Sequence, residues 1–563
     1  MQSKVKIALI RPQEHDYRYL EWIEDVTLGY LISVLEENDY RCYPFDFAMH
    51  PLLTEQDYRE AVKQIADVEP DVIIFVMGKH PTNSPFYTGE IMRRCRDNNR
   101  LLQTHFLIYG HTVNGTQSLL KEFPADSVVI GEEIDLLGVV QAISDGQSLE
   151  GIPGCGVRTN SGESGFSPPL PLNMNLDNLP YPKRYYFDIS PQKRNECGYV
   201  AALLASRGCY ANCTFCHMRA YEKAYGGSYP WRSRTPENIA NEIEMLYNQH
   251  GVREFAFVDY QFIGPGQRGH KWAQDIAKEI LDRKLDDIAF SIYARANDIK
   301  YETFSLLKQA GLYAVFIGIE SFSQEVLDRY RKGVTVQQNL QAIQILLDLD
   351  VRIRMGFITF DHFTSLTEVE ESISHLKAIC KDKPHLITQP IFFQNILSPL
   401  EDTPISAEYS KIGAVQHSVQ YDFGQMMTVK QKRMNRNGAI TTFADERIAY
   451  LSEATRILAS ELLQRTTMLE NQMGQALNTS EHILVNENKI SFAETMDWFD
   501  NLTVFTVLEF EQIFYAIRRS QSLNSNLLGD LANKIATSCE NYDRKYFGFA
   551  IKPAQPVRTA VFD

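Results

Sequence analysis

Cys209, Cys213 and Cys216 stand within eight residues, in the stretch Ser206-Arg-Gly-Cys-Tyr-Ala-Asn-Cys-Thr-Phe-Cys-His. Thiolates at CxxxCxxC spacing on one short segment are ligands for iron or zinc. Three of them can hold three irons of a cubane 4Fe-4S cluster and leave the fourth iron open to a substrate, because a closed cluster takes a fourth protein ligand. A structural zinc site, with His217 completing a Cys3His set, is the alternative. It is disfavoured because Cys216 and His217 are adjacent and strain to reach one tetrahedral ion. Cys42, Cys95, Cys155, Cys197, Cys380 and Cys539 form no second CxxC cluster and are expected to be inert thiols. Nine cysteines in 563 residues are sparse for a disulfide scaffold, and no N-terminal segment reads as a secretory signal, so the expectation is a cytoplasmic chain with reduced thiols.

The elements that position such a loop must come from a chain too long for one core, so two or three domains are expected. The hydrophobic fraction of 44% is ordinary for globular protein. The longest uncharged apolar runs, such as Val72 to Gly78, fall far short of a bilayer span, so no membrane partner is expected. A net charge of -15 argues against broad electrostatic binding of nucleic acid. The expected partner is a small-molecule or peptide substrate.

Residues 1–150 alternate strand-like runs with helix-patterned segments. Val5 to Ile10, Tyr40 to Phe47, Asp71 to Met77, Thr104 to Tyr109 and Ser127 to Ile130 read as strands. Leu28, Leu31, Ile32 and Leu35 form one helical stripe, and Tyr58, Val62 and Ile65 another. These units predict an α/β, flavodoxin-like, doubly wound parallel sheet, whose ligands sit beyond the carboxyl ends of the strands. Those ends carry Arg11 after the first strand, Gly78 after the third, Gly110-His111-Thr112 after the fourth and Gly131-Glu132 after the fifth. Glycine there lets backbone approach a bulky ligand. Residues 151–195, rich in proline from Pro168 to Pro191, read as a linker.

From 196 to 400 strands and helices alternate again, and the run Tyr199 to Ala205 leads straight into the cysteine loop. Further strands end at Asp259, Arg295 and Glu320-Ser321, and Ile353 to Phe360 continues the series. Polar side chains at successive strand ends converge on one mouth in a barrel. Residues 401–563 shift to helix, with Ile448, Leu451, Leu458 and Leu462 at helical spacing and a long apolar pattern from Trp498 to Arg519. They are expected to form a mostly helical substrate-recognition domain, with Gln416 to Asn437 covering the barrel mouth.

The cysteine motif, with Phe215 before its last cysteine, resembles the radical S-adenosylmethionine (SAM) superfamily. The strand ends at Gly110-His111-Thr112 and Val-Val-Ile-Gly131-Glu132-Glu133 resemble the cobalamin-binding domain that precedes many radical SAM domains. The resemblance covers roughly residues 1–400 and implies a partial (βα)6 TIM-like barrel for 196–400. It implies a 4Fe-4S cluster on the three cysteines, with SAM near Gly318-Ile-Glu320-Ser321 and its amino group by Asp259. Arg295, and more weakly Arg232 or Arg234, pairs with the SAM carboxylate in this reading, since guanidinium geometry suits carboxylates. The loop holding His15 lacks the Asp and Gly of a histidine-ligating cobalamin site, so cobalamin is expected base-off with no protein histidine ligand. The function implied is a cobalamin-dependent methyltransferase that moves a methyl group from methylcobalamin to an unactivated carbon, or phosphorus, of a natural-product precursor or peptide through a 5'-deoxyadenosyl radical. A flavodoxin or ferredoxin would supply electrons. The alternatives are a cyclase or ring-rearranging enzyme with the same cofactors, and a non-catalytic zinc-stabilised binding protein.

Overall fold

Five apolar runs in the first 130 residues are too short for helices and rich in β-branched and aromatic side chains. Each becomes a parallel strand: β1 (Lys6–Arg11), β2 (Arg41–Asp46), β3 (Val72–Met77), β4 (His105–Gly110) and β5 (Ser127–Val129). β2 lies on one side of β1, and β3, β4 and β5 follow in order on the other, the doubly wound order expected. The computed structural model describes residues 5–12, 22–48, 52, 54–77, 85–110, 119–121, 123–158, 164–188, 199–285, 287–388, 395–397, 399–400, 403–417, 439–476, 482–485 and 488–552. Between the strands run α1 (Val26–Glu37), α2 (Glu55–Val68), α3 (Pro85–Arg96) and α4 (Glu133–Ser144). Asp25 caps α1, and Thr54 with Asp57 forms a capping box on α2. The predicted stripe Leu28, Leu31, Ile32 and Leu35 packs with Leu136, Val139 and Val140 on one face of the sheet. Val62, Ile65, Ile91 and Met92 cover the other.

Two antiparallel strands, β6 (Cys155–Arg158) and β7 (Ser164–Phe166), extend this sheet beyond β5. They come from the stretch read as a linker, and at four and three residues they carry too little alternation to announce themselves.

The second sheet consists of β8 (Tyr199–Leu203), β9 (Glu254–Phe257), β10 (Ala289–Arg295), β11 (Leu312–Glu320), β12 (Arg352–Phe357) and β13 (Ile387–Thr388), side by side in chain order and all parallel. Helices α5 (Met218–Ala224), α6 (Pro236–His250), α7 (Gly266–Asp282), α8 (Tyr301–Gln309), α9 (Gln324–Arg329), α10 (Val336–Asp348) and α11 (Leu366–Ile379) make the connections. This is the open, partial barrel expected. Its outer edge strand is Trp22–Ile23, paired in parallel with Tyr199 and Val200, so the segment between β1 and α1 completes the barrel sheet. Glu24, next in the chain, is buried against Arg184, whose other nitrogen reaches Glu242 Oε1 at 2.6 Å.

Beyond the barrel, α12 (Pro404–Lys411) is followed by the long helices α13 (Glu446–Ala476), α14 (Phe492–Arg519) and α15 (Ser525–Phe547). Ile448, Leu451, Leu458 and Leu462 are buried as their spacing predicted. Arg465 is held inside this bundle by Asp543 at 2.9 Å and by Glu461 at 2.5 Å. α14 docks on the last barrel units, with Thr503 Oγ1 donating to Ile387 O at 2.7 Å and Lys377 paired to Glu511 at 2.7 Å. Val415–His417 and Ala439–Thr441 pair antiparallel. Of the covering segment expected from Gln416 to Asn437, residues 418–437 lie outside the described residues. Among the described residues no helix is long and apolar enough to cross a membrane.

Candidate functional site

The chain leaves β8 through a neck that two strand ends hold shut. Asp259, just beyond β9 and 1% exposed, accepts from the Ser206 amide, from Ser206 Oγ at 2.6 Å and from the Ala205 amide at 3.4 Å. Its carboxylate thus fixes the start of the cysteine loop. Gly208 follows with φ +82, and a Cβ there would collide with the Pro230 carbonyl, so only glycine lets outgoing and returning chain pass so closely. The loop closes where Ser206 and Arg207 pair antiparallel with Arg232 and Ser233.

Inside this loop Cys213 is buried and Cys209 and Cys216 are half-buried. Burial pushes the Cys216 thiol up to about 12 and raises that of Cys209, so their thiolates need electropositive company. Part of it is present: the Ala211 amide donates to Cys209 Sγ at 3.4 Å, and Arg295 Nη1 to Cys213 Sγ at 3.3 Å. Among the described residues no three His, Cys, Asp or Glu side chains converge on one ion. Three thiols on one loop suit a cubane cluster, which gives each thiolate its own iron. His217 faces the Tyr260 ring at 4.8 Å and packs as an aromatic side chain.

Glu320 ends β11 in the left-handed region, φ +62, beside a register shift between Gly318 and Glu320. A non-glycine residue there is held by its surroundings. The holding group is Lys332, whose Nζ donates to Glu320 Oε1 at 2.7 Å while both side chains are nearly buried. A Cβ at Gly318 would lie 2.7 Å from that Nζ and 2.8 Å from that oxygen. The Lys332 carbonyl accepts from Arg295, whose Nε also reaches Asn297 Oδ1 at 3.2 Å. Phe215 lies edge-on to Tyr330 at 5.3 Å and 6.0 Å from Lys332 Nζ. The structure therefore brings Phe215, Arg295 and Glu320 together around Lys332, a residue not expected from the sequence, with Arg295 reaching on to Cys213. Its available signal was Arg331-Lys332-Gly333, where Gly333 at φ +68 turns the chain back beside Arg295. Ser321 turns elsewhere: its Oγ accepts from the Ser323 amide at 3.0 Å, and it lines a cleft with Thr359 and Phe510.

Other expected contacts are spent within the protein. Arg232, read as a possible partner of a carboxylate ligand, pairs with Glu132 at 2.7 Å and donates to Asn173 O at 2.6 Å. Arg234 pairs with Glu242 at 2.6 Å. Both guanidinium groups are buried in internal ion pairs, which corrects that reading of each. Glu132 itself, expected at a ligand, is buried against Arg232 and Arg207. Gly131 O accepts from Tyr109 OH at 3.1 Å. Arg11 faces Asp46 at 3.4 Å and Asp25 at 3.8 Å. Gly110 is buried at the end of β4. Gly78, His111 and Thr112 lie outside the described residues.

Residues 203–376, which contain the three cysteines, Asp259, Arg295, Glu320 and Lys332, match the Radical SAM superfamily. This segment is a radical SAM domain. Such a domain works with a 4Fe-4S cluster and SAM. The chain is 28% identical over 359 residues to an uncharacterized methyltransferase of Pyrococcus horikoshii, covering 62% of this chain and 72% of that protein. It is 27% identical over 349 residues to the anaerobic magnesium-protoporphyrin IX monomethyl ester cyclase of Rubrivivax gelatinosus, covering 59% of this chain and 58% of the cyclase, little more than half its length. Among solved structures, the cobalamin-dependent SAM radical enzyme OxsB, with aqua-cobalamin and SAM bound, superposes with a TM-score of 0.64 at 17% identity, over 95% of this chain and 84% of OxsB. At that identity the likeness is one of fold, and it spans the first sheet, the radical SAM domain and the helical region.

Proposed function

We propose that this chain is a cobalamin-dependent radical SAM methyltransferase acting on an unactivated carbon, or phosphorus, of a small molecule or peptide. Cys209, Cys213 and Cys216 hold the cluster, with Phe215, Arg295, Glu320 and Lys332 around it, and the carboxyl edge of the first sheet takes the cobalamin without a histidine ligand. When bound, the cluster and SAM supply a hydrogen-abstracting radical and cobalamin supplies the methyl group. The chain's own side chains build the setting. Asp259 fixes the neck of the cysteine loop, and the Lys332–Glu320 pair holds the bulged end of β11. His217, Tyr221, Tyr229 and Tyr260 wall the loop with rings and keep water out.

The observation that carries this reading is the direct contact between the two sheet edges. Arg207, in the neck of the cysteine loop, binds Glu133 through two hydrogen bonds of 2.8 Å each, one residue past Glu132 at the end of the fifth strand. A ligand on that edge adjoins the radical SAM loop. Residues 401–563 serve substrate recognition in this reading, supported by Phe510 of α14 lining the cleft beside Ser321. A flavodoxin or ferredoxin supplies electrons.

The likeness to the magnesium-protoporphyrin ester cyclase favours a second reading, the same cofactors without methyl transfer. Anaerobic incubation of iron-reconstituted protein with SAM, reductant, cobalamin and candidate substrates separates the two. Methyl transfer yields S-adenosylhomocysteine together with 5'-deoxyadenosine, whereas cyclisation or rearrangement yields 5'-deoxyadenosine without it. Absence of both rejects the radical reading.

A further inference from the structure

Arg207 and Arg232 occupy the two sides of the cysteine-loop neck, where their backbones pair antiparallel. Both are 3% exposed, and both reach across to the same place, the first turn of α4 in the first domain. Glu132 Oε1 receives Arg232 Nη2 at 2.7 Å, Arg207 Nη1 at 3.3 Å and Tyr229 OH at 3.2 Å. Glu133 takes Arg207 in the paired geometry described above. Two guanidinium groups and two carboxylates thus form a neutral buried unit, with each acid at the electropositive end of a helix. The acidic side is tied to Gly131 and to the following segment through Asp135. Asp135 accepts from the Glu132 amide at 2.9 Å and the Leu170 amide at 2.7 Å, and a Cβ on Gly131 would fall on the Asp135 carboxylate. On the loop side, Cys209 and Cys216 pack in one apolar cluster with Met218, Tyr221 and Tyr229, so the cysteines and the neck are in continuous contact.

We propose that Glu132, Glu133, Arg207 and Arg232 are positioning residues that couple the ligand site at the end of the fifth strand to the geometry of the cysteine loop. Occupancy of the first domain shifts the first turn of α4, which immediately follows Gly131, and the shift reaches the cysteines through the four buried charges. Coupling of this kind is reciprocal, so the cluster-bearing loop with SAM bound favours the ligand on the first domain equally. The inference rests on the proposed function for the identity of the two ligands, cobalamin and SAM.

The test uses the full chain, reconstituted with iron and sulfide, and measures SAM affinity from the SAM-induced change in the electron paramagnetic resonance spectrum of the reduced cluster. The titration is done with and without saturating hydroxocobalamin, and equilibrium dialysis gives hydroxocobalamin affinity with and without SAM. In the unmodified protein hydroxocobalamin should tighten SAM binding at least threefold, and SAM should tighten hydroxocobalamin binding by the same factor. In Glu133→Gln each ligand still binds and the factor falls to one. Arg207→Lys, which keeps the cation and loses the paired hydrogen bonds, gives an intermediate factor and carries the test if Glu133→Gln fails to fold. An unchanged factor in the folded variant, or a factor of one in the unmodified protein, overturns the proposal. Failure of the unmodified protein to bind cobalamin or to cleave SAM instead rejects the functional reading.

Discussion

The two parallel sheets end in the same kinds of side chain, but the charges meet different partners. At the edge of the first sheet Arg11 faces Asp46 and Asp25, while Glu132 and Glu133 face Arg232 and Arg207. Each of these charges faces an opposite one within the protein, and the second pair ties the edge to the cysteine-loop neck. At the mouth of the barrel Arg295 is buried with a thiol sulfur, a carbonyl and an amide oxygen as its acceptors, and its positive charge is aimed at Cys213. Its guanidinium hydrogen-bonds a thiol rather than a carboxylate, which sets it apart from the paired arginines at the first edge. Charge alone does not separate site from scaffold; the partner does.

The comparison breaks most completely at the cysteines. Cys213→Ala should leave the fold intact and lower 5'-deoxyadenosine formation more than 100-fold, on the order of 3 kcal/mol or more, with loss of the cluster's paramagnetic signal. At the first edge, Glu133→Gln leaves Arg207 buried with its best partner gone. Chemical denaturation should show a loss of about 3–5 kcal/mol. Asp298 sharpens the contrast by pH. Desolvation raises its carboxyl from 3.8 to about 6, against the opposing hydrogen bond from Tyr210 and the charges of Arg295 and Lys300. A carboxyl raised on folding lends stability that is present below its unfolded pKa and lost as pH rises through the folded one. The stability lost in Asp298→Asn should therefore be largest near pH 4 and shrink by up to about 3 kcal/mol by pH 7, measured by denaturation at each pH. Arg295→Gln gives the smallest free-energy change and the most specific one. Its melting temperature should stay within a few degrees while 5'-deoxyadenosine formation falls about tenfold, or about 1.4 kcal/mol.

Periodicity made the frame legible. The strands of the first sheet, the stripe of α1 and the buried face of α13 were all visible because each repeats often enough to set a period. Trp22–Ile23 was not, since a two-residue strand has no period and its partner at Tyr199 lies far along the chain. β6, β7 and β13 escaped for the same reason. Within the candidate site, the cysteines stood out by spacing, and Glu320 and Arg295 by their place after strands. The same cue misled at Arg232 and Arg234, because a strand-end charge reads alike whether it meets a ligand or a buried carboxylate from another element. Lys332 went unseen because its pairing with Glu320 forms across a turn that only the folded chain closes.

The measurement that tests the central claim most directly is the electron paramagnetic resonance spectrum of the reduced, iron-reconstituted protein before and after addition of SAM, with metal and cobalamin content determined on the same sample. The account predicts a 4Fe-4S signal that changes when SAM is added, close to four irons and one cobalamin per chain, and no cluster signal in Cys213→Ala. Zinc in place of iron, or a cluster signal indifferent to SAM, would contradict it.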